Sequence, residues 1–177
     1  MPTGASASTG DSAKASATRP STLADTGTTV YTLEPEESDD VKAAIDRAAS
    51  HTNFIIRPIV RRRLTRNNRL PQHVTFAVSA DTITVTFDGT NPIVTPRNGD
   101  SVGWTRAATR DTHIERYTVH IRQAGDTLRQ TIVTDDGGRN NEFVFLEGGA
   151  EMRMHVILWA DRLPVPLMYS LAFRRSS

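Results

Sequence analysis

Thr82-Ile83-Thr84-Val85-Thr86-Phe87 reads as a half-buried β-strand on its own. In an extended chain Ile83, Val85 and Phe87 fall on one side and three threonines on the other, and β-branched side chains suit a pleated surface with one buried face. Just upstream Val74, Phe76 and Val78 alternate in the same way before Ser79-Ala80-Asp81, so residues 73–88 read as a hairpin. Downstream, turn-forming clusters recur at Asp88-Gly89, Asn98-Gly99-Asp100, Ala124-Gly125-Asp126, Asp135-Asp136-Gly137-Gly138 and Glu147-Gly148-Gly149. They separate strand-length runs at 93–95, 101–107, 113–123, 127–134, 142–146, 151–159 and 167–174. Connections this short join antiparallel neighbours and leave no room for crossover helices. With Val30, Tyr31 and Leu33 as a first strand the total is about ten, and one open sheet of that size would leave two edges and an apolar face uncovered. The expected fold is therefore mainly β: an antiparallel up-and-down β-barrel of about ten strands with an N-terminal helical insertion. The alternative is a two-sheet β-sandwich.

Upstream of Pro71 the periodicity changes from two to about 3.6. Ser38-Asp39-Asp40 reads as a helix start, and Val41, Ala44, Ile45 and Ala48 follow as one narrow stripe. A second helical stretch spans about Phe54 to Arg66, with Ile55, Ile56, Ile59, Val60 and Leu64 grouped on one side. Pro58 either weakens it or marks its true beginning. Together these give a helical segment over 38–66. Residues 1–27 are Ala, Ser, Thr and Gly with almost nothing to bury, and ordering each would cost about 1–2 kcal/mol, so they are expected to form a disordered arm before a barrel domain at 28–177.

The chain has 177 residues, a net charge of +1 and no cysteine. The last excludes disulfides, thiolate metal sites and cysteine nucleophiles. The sequence has no run of eighteen apolar residues and no apolar stretch behind a charged start, so neither a transmembrane segment nor a signal peptide is expected. Charge is distributed unevenly. Arg57, Arg61, Arg62, Arg63, Arg66 and Arg69 lie within thirteen positions, and without them 15 basic residues face 20 acidic ones. The cluster either attracts an anion or pairs with the acidic run Glu34, Glu36, Glu37, Asp39 and Asp40. On a helical wheel Arg63 and Arg66 fall within the apolar stripe, which would aim them at a barrel mouth.

The order of elements, a short first strand, a helical insertion and then antiparallel strands to Arg175, resembles the lipocalin-like, or calycin, β-barrels. Gly27-Thr28-Thr29-Val30-Tyr31 keeps the glycine of a Gly-x-Trp near the first strand and lacks the tryptophan. Leu163-Pro164-x-Pro166-Leu167-x-Tyr169-x-Leu171-x-Phe173-Arg174-Arg175 is similar to the last strand of uncharacterised bacterial lipocalin-like proteins, many of them exported. The resemblance implies non-enzymatic binding of a small hydrophobic molecule inside the barrel, and a secreted or periplasmic location.

Candidate ligand-binding residues are Arg63 and Arg66, for an anionic end, and the inward aromatic and thioether side chains Phe76, Phe87, Trp104, Tyr117, Met152, Met154 and Tyr169. The same side chains also suit a filled barrel core. No catalytic residue, metal ligand or cofactor is assigned. His113, Glu115, His120 and His155 are scattered over strands without a ligand-like spacing. A barrel enzyme of cyclase or isomerase type, using His113, Glu115 or Tyr117, is the second functional reading. An electrostatic interaction module built on Arg57 to Arg69 is the third. Nucleic acid is not expected as a partner, because the arginine run lacks a stacking platform beyond Phe54.

Overall fold

The computed structural model describes residues 26–105 and 116–176. The alternation around Ile83 continues through ten strands: β1 (Gly27–Glu34), β2 (His73–Val78), β3 (Thr82–Phe87), β4 (Ile93–Pro96), β5 (Val102–Thr105), β6 (Arg116–Ala124), β7 (Thr127–Thr134), β8 (Gly137–Leu146), β9 (Glu151–Ala160) and β10 (Leu167–Arg175). All pairings are antiparallel, in the order β4-β3-β2-β1-β10-β9-β8-β7-β6-β5. The first strand joins the last, with Leu33 opposite Phe173, so the sheet curls into a nearly closed up-and-down barrel. The seam lies between β4 and β5, which share no strand pairing; there the Trp104 indole N–H donates to the Pro92 carbonyl at 3.2 Å.

One face of every long strand supplies the interior. Tyr31 and Leu33 from β1, Val74 and Phe76 from β2, Ile83 and Val85 from β3, Phe143 and Phe145 from β8, Met152 and Met154 from β9, and Leu171 and Phe173 from β10 are all buried. Their rings meet mainly edge to face: Phe76 lies 5.0 Å from Phe143, 5.5 Å from Phe145 and 5.9 Å from Tyr31. These side chains form a packed apolar floor. The Tyr31 hydroxyl donates to the Gly149 carbonyl at 2.9 Å, and burial pushes its pKa up, opposed by the nearby Arg175 charge.

Between β1 and β2 the chain forms α1 (Val41–Ser50) and α2 (Arg57–Asn67). Asp40, not Ser38, caps α1, accepting from the Ala43 N–H at 3.0 Å. Ser38 instead donates to the Glu34 carbonyl and accepts from the Ala172 N–H, and Asp39 exchanges two hydrogen bonds with the Ser170 backbone. The segment entering α1 is thereby fastened along the edge of β10 beyond the end of its pairing with β1. α1 buries Val41, Ala44, Ile45, Ala48 and Ala49, whose small side chains allow close approach to the barrel. α2 buries only Leu64. It starts at Arg57 with Pro58 in its first turn, where a missing N–H leaves no helical bond unmade.

The structure corrects several expectations. Phe54, Ile55 and Ile56 lie in the turn before α2, and together with Ile59 they are exposed instead of joining Leu64 in the core. Gly137 and Gly138, read as part of a turn, begin the ten-residue β8. There Gly138 lies against the Trp159 indole across the strand pair, an approach that a side chain would block. Residues 1–25, which make up most of the expected arm, and residues 106–115 lie outside the described residues. No described helix is long and apolar enough to cross a membrane.

Candidate functional site

Above the apolar floor, the inner faces of the strands turn polar. On β8 the alternation that buries Phe145 and Phe143 continues to Asn141 and Arg139, and on β7 it runs from Leu128 to Gln130. Strand register sets Gln130 opposite Asn141, Asn141 opposite Val156, and Val156 opposite Tyr169 of β10. Asn68, immediately after α2, reaches the same level from the helical side. Gln130, Asn141, Asn68 and Tyr169 are all buried, and Arg139 is half-buried.

These five side chains form one network. Arg139 donates from Nε to Asn141 Oδ1 at 2.6 Å, from one terminal nitrogen to Asn68 Oδ1 at 3.3 Å and from the other to the Tyr169 hydroxyl oxygen at 3.3 Å. The Tyr169 hydroxyl in turn donates to Asn68 Oδ1 at 3.3 Å, and Asn141 Nδ2 donates to Gln130 Oε1 at 2.9 Å. Asn68 Nδ2 is anchored to the Leu64 carbonyl at 2.9 Å, which ties the end of α2 to the barrel interior. Two features stand out. Every hydrogen-bond partner of the Arg139 guanidinium is neutral, and no carboxylate pairs with it among the described residues. Gln130 Nε2 is buried without any acceptor. A half-buried cation and an orphaned donor on adjacent strands favour an acceptor, preferably an anion, between them.

The residues singled out from sequence divide into three groups. Phe76, Met152 and Met154 belong to the packed floor. Tyr169 stands in the polar network. Phe87, Trp104 and Tyr117 lie on inner strand faces but keep some exposure; the Trp104 and Tyr117 rings are 5.3 Å apart next to the seam. Arg63 and Arg66 do not point into the barrel. They are exposed, on the side of α2 away from Leu64. Among the described residues the acidic run does not neutralise the arginines either: Glu37 pairs with Arg153, Glu34 with Arg174, and of the described acids only Asp46 reaches the cluster, 2.7 Å from Arg61. His155 lies on the outer face, its Nδ1 2.7 Å from Ser170 Oγ, while His113 and Glu115 fall outside the described residues. No group of three His, Cys, Asp or Glu side chains suited to a metal ion occurs among the described residues.

Arg139, Asn141, Gln130 and Asn68 escaped the sequence reading. A signal was available for two of them: Arg139-x-Asn141-x-Phe143-x-Phe145 places the polar pair on the face of two inward phenylalanines.

Several solved structures align with most of this chain at low sequence identity. The REP1-NXSQ fatty acid transporter is 13% identical, with 86% of this chain and 96% of that chain covered at a TM-score of 0.46. A fatty acid-binding protein in brain tissue of Drosophila melanogaster is 16% identical, covering 82% and 95% at 0.47. Human cRBP IV is 13% identical, covering 85% and 97% at 0.45. No protein-family model matches the sequence, and no curated protein matches it.

Proposed function

We propose that the protein is a non-enzymatic binding protein that holds a small, mainly hydrophobic molecule inside the barrel, with a carboxylate or similar anionic group received by Arg139, the Tyr169 hydroxyl and Gln130. The observation that carries this reading is the Arg139 guanidinium, turned into the barrel interior with only neutral partners. A charge withdrawn from water without a counter-charge is costly, and a bound anion would remove that cost. The partly accessible inner side chains Phe87, Trp104, Tyr117 and Leu158 supply apolar wall for the rest of the molecule. Relative to the sequence reading, the anion-binding role passes from Arg63 and Arg66 to Arg139.

The likeness of the last strand to exported bacterial lipocalin-like proteins supports a binding protein that works outside the cytoplasm. The decisive experiment is a native mass spectrum of the purified protein, followed by titration with a fluorescent long-chain carboxylate and with its uncharged alcohol counterpart. Saturable binding that favours the carboxylate supports the reading. Failure of both probes to bind, together with a spectrum of the bare chain, would leave the barrel as a filled scaffold.

A further inference from the structure

We propose that the turn before α2 and the outer face of that helix form a docking surface for anionic lipid membranes. Phe54, Ile55 and Ile59 are 75%, 68% and 68% exposed, and Ile56 beside them is 41% exposed. Four large apolar side chains in this turn and the first turn of α2 are unfavourable in water, and a surface that buries them lowers the free energy.

Their neighbours identify that surface. Counting along the helix from Ile59, Arg62, Arg63 and Arg66 follow at spacings of three, four and seven, so all four side chains share one face. The opposite face holds Leu64 in the core, and Asn68 beyond the helix is tied to the barrel network. An open groove lined by Pro58, Arg61, Arg62, Thr65, Arg66 and Arg69 runs along the exposed side. No acidic residue occurs from His51 to Leu70. Among the described residues Arg62, Arg63, Arg66 and Arg69 have no ion-pair partner, while Glu34, Glu37 and Asp39 of the nearby acidic run are engaged with β9 and β10.

An apolar tip continuous with a ridge of free guanidinium groups matches a phospholipid interface: isoleucine and phenylalanine enter the acyl boundary while the arginines meet lipid phosphates and serine carboxylates. A nucleic acid would fit it less well, since Phe54 is the only ring available for stacking and the isoleucines would gain nothing from a phosphate backbone. Because α2 is fixed to the barrel through Leu64 and Asn68, the face is presented as a rigid body and no refolding is required.

The test is co-sedimentation of the full chain with phosphatidylcholine vesicles, with and without phosphatidylserine, at low and high salt. The wild type is expected to bind only the serine-containing vesicles, with binding that weakens as salt rises. Ile55→Ser/Ile56→Ser/Ile59→Ser should abolish binding. Arg62→Gln/Arg63→Gln/Arg66→Gln should weaken it by about a hundredfold, at about fivefold per arginine. All six side chains are exposed, and an unchanged thermal midpoint in both variants confirms that the fold is intact. The proposal is overturned if the wild type ignores anionic vesicles, or if the arginine variant binds them as the wild type does. It is also overturned if a single-stranded oligonucleotide binds more tightly than the vesicles, or if the isoleucine face proves to hold two copies of the chain together in sedimentation.

Discussion

Replacing Arg139 by methionine separates a ligand-binding arginine from a structural one. The substitution keeps an unbranched apolar stem and removes the charge with its three donated hydrogen bonds. Asn68 Oδ1 still accepts from Tyr169, and the Tyr169 hydroxyl keeps that same bond, so only Asn141 Oδ1 loses its sole donor. One buried acceptor left unsatisfied costs about 1–3 kcal/mol. Against this, the mutation releases a half-buried cation from a place with no counter-charge, and removing such a desolvated charge returns a comparable amount. The two effects oppose each other, and the unliganded protein should change in stability by no more than about 1 kcal/mol, read by urea denaturation. Affinity for a carboxylate should behave differently, because a hydrogen bond to a charged group contributes about 1.5–3 kcal/mol. That corresponds to a loss of roughly ten- to a hundredfold in the titration with a fluorescent long-chain carboxylate. The uncharged alcohol counterpart should bind Arg139→Met as well as it binds the wild type. If the variant loses several kcal/mol of stability while its carboxylate affinity is unchanged, Arg139 is a structural residue and the reasoning fails.

Three further outcomes follow from the barrel's packing. Phe76→Ala removes a fully buried ring in contact with Tyr31, Phe143 and Phe145, and should cost about 3–5 kcal/mol in chemical unfolding; a loss below about 1 kcal/mol would mean that the floor is loosely packed. Gly138→Ala would drive a methyl group against the Trp159 indole and to 2.8 Å from the Ile132 carbonyl oxygen; overpacking of this kind should lower stability by about 1–3 kcal/mol, and an unchanged thermal midpoint would contradict the close approach. Burial raises the folded-state pKa of Tyr31 above its ordinary 10.0, so the unfolded chain gives up this proton first and stability should fall as pH rises from about 10 through the folded value. Tyr31→Phe should remove that alkaline slope, at a cost near neutrality of about 1 kcal/mol for the lost bond to Gly149; a slope identical to wild type would place its origin elsewhere.

The architecture was legible where side-chain periodicity is enforced by a buried face. Thr82–Phe87 and Thr127–Thr134 are the strands expected from alternation, because any slip in register would bring Ile83, Val85 or Leu128 out of the core. Sequence reading failed where local composition opposes the tertiary setting. Gly137-Gly138 has turn chemistry, yet both residues pair with β9 and the Trp159 ring lies against Gly138. Ile55, Ile56 and Ile59 have the spacing of a core stripe, but α2 meets the barrel through Leu64, and nothing in the pattern of five apolar side chains says which of them faces inward. The polar network was hidden for a different reason. It joins Asn68, Gln130, Arg139, Asn141 and Tyr169 across separations as large as 101 positions, and only the strand register brings them together. Arginine is densest at 57–69, whereas the arginine that reaches the polar network is the isolated Arg139.

The pairing of β1 with β10 has a consequence for how the molecule is made. The Thr32 and Ser176 hydroxyls stand 2.7 Å apart across 144 positions of chain, so the contact that closes the cylinder joins segments synthesised far apart in time. Until β10 emerges from the ribosome, the hairpins already formed keep free edges and an uncovered apolar face, and α1 lacks the strand to which Asp39 fastens it. Closure of so long a loop is slow compared with hairpin formation. Refolding should therefore show rapid growth of β-structure followed by a later, single closing phase, in which burial of Phe173 and docking of the helices occur together. In the cell, that interval is when the nascent chain most needs protection from pairing with other strands.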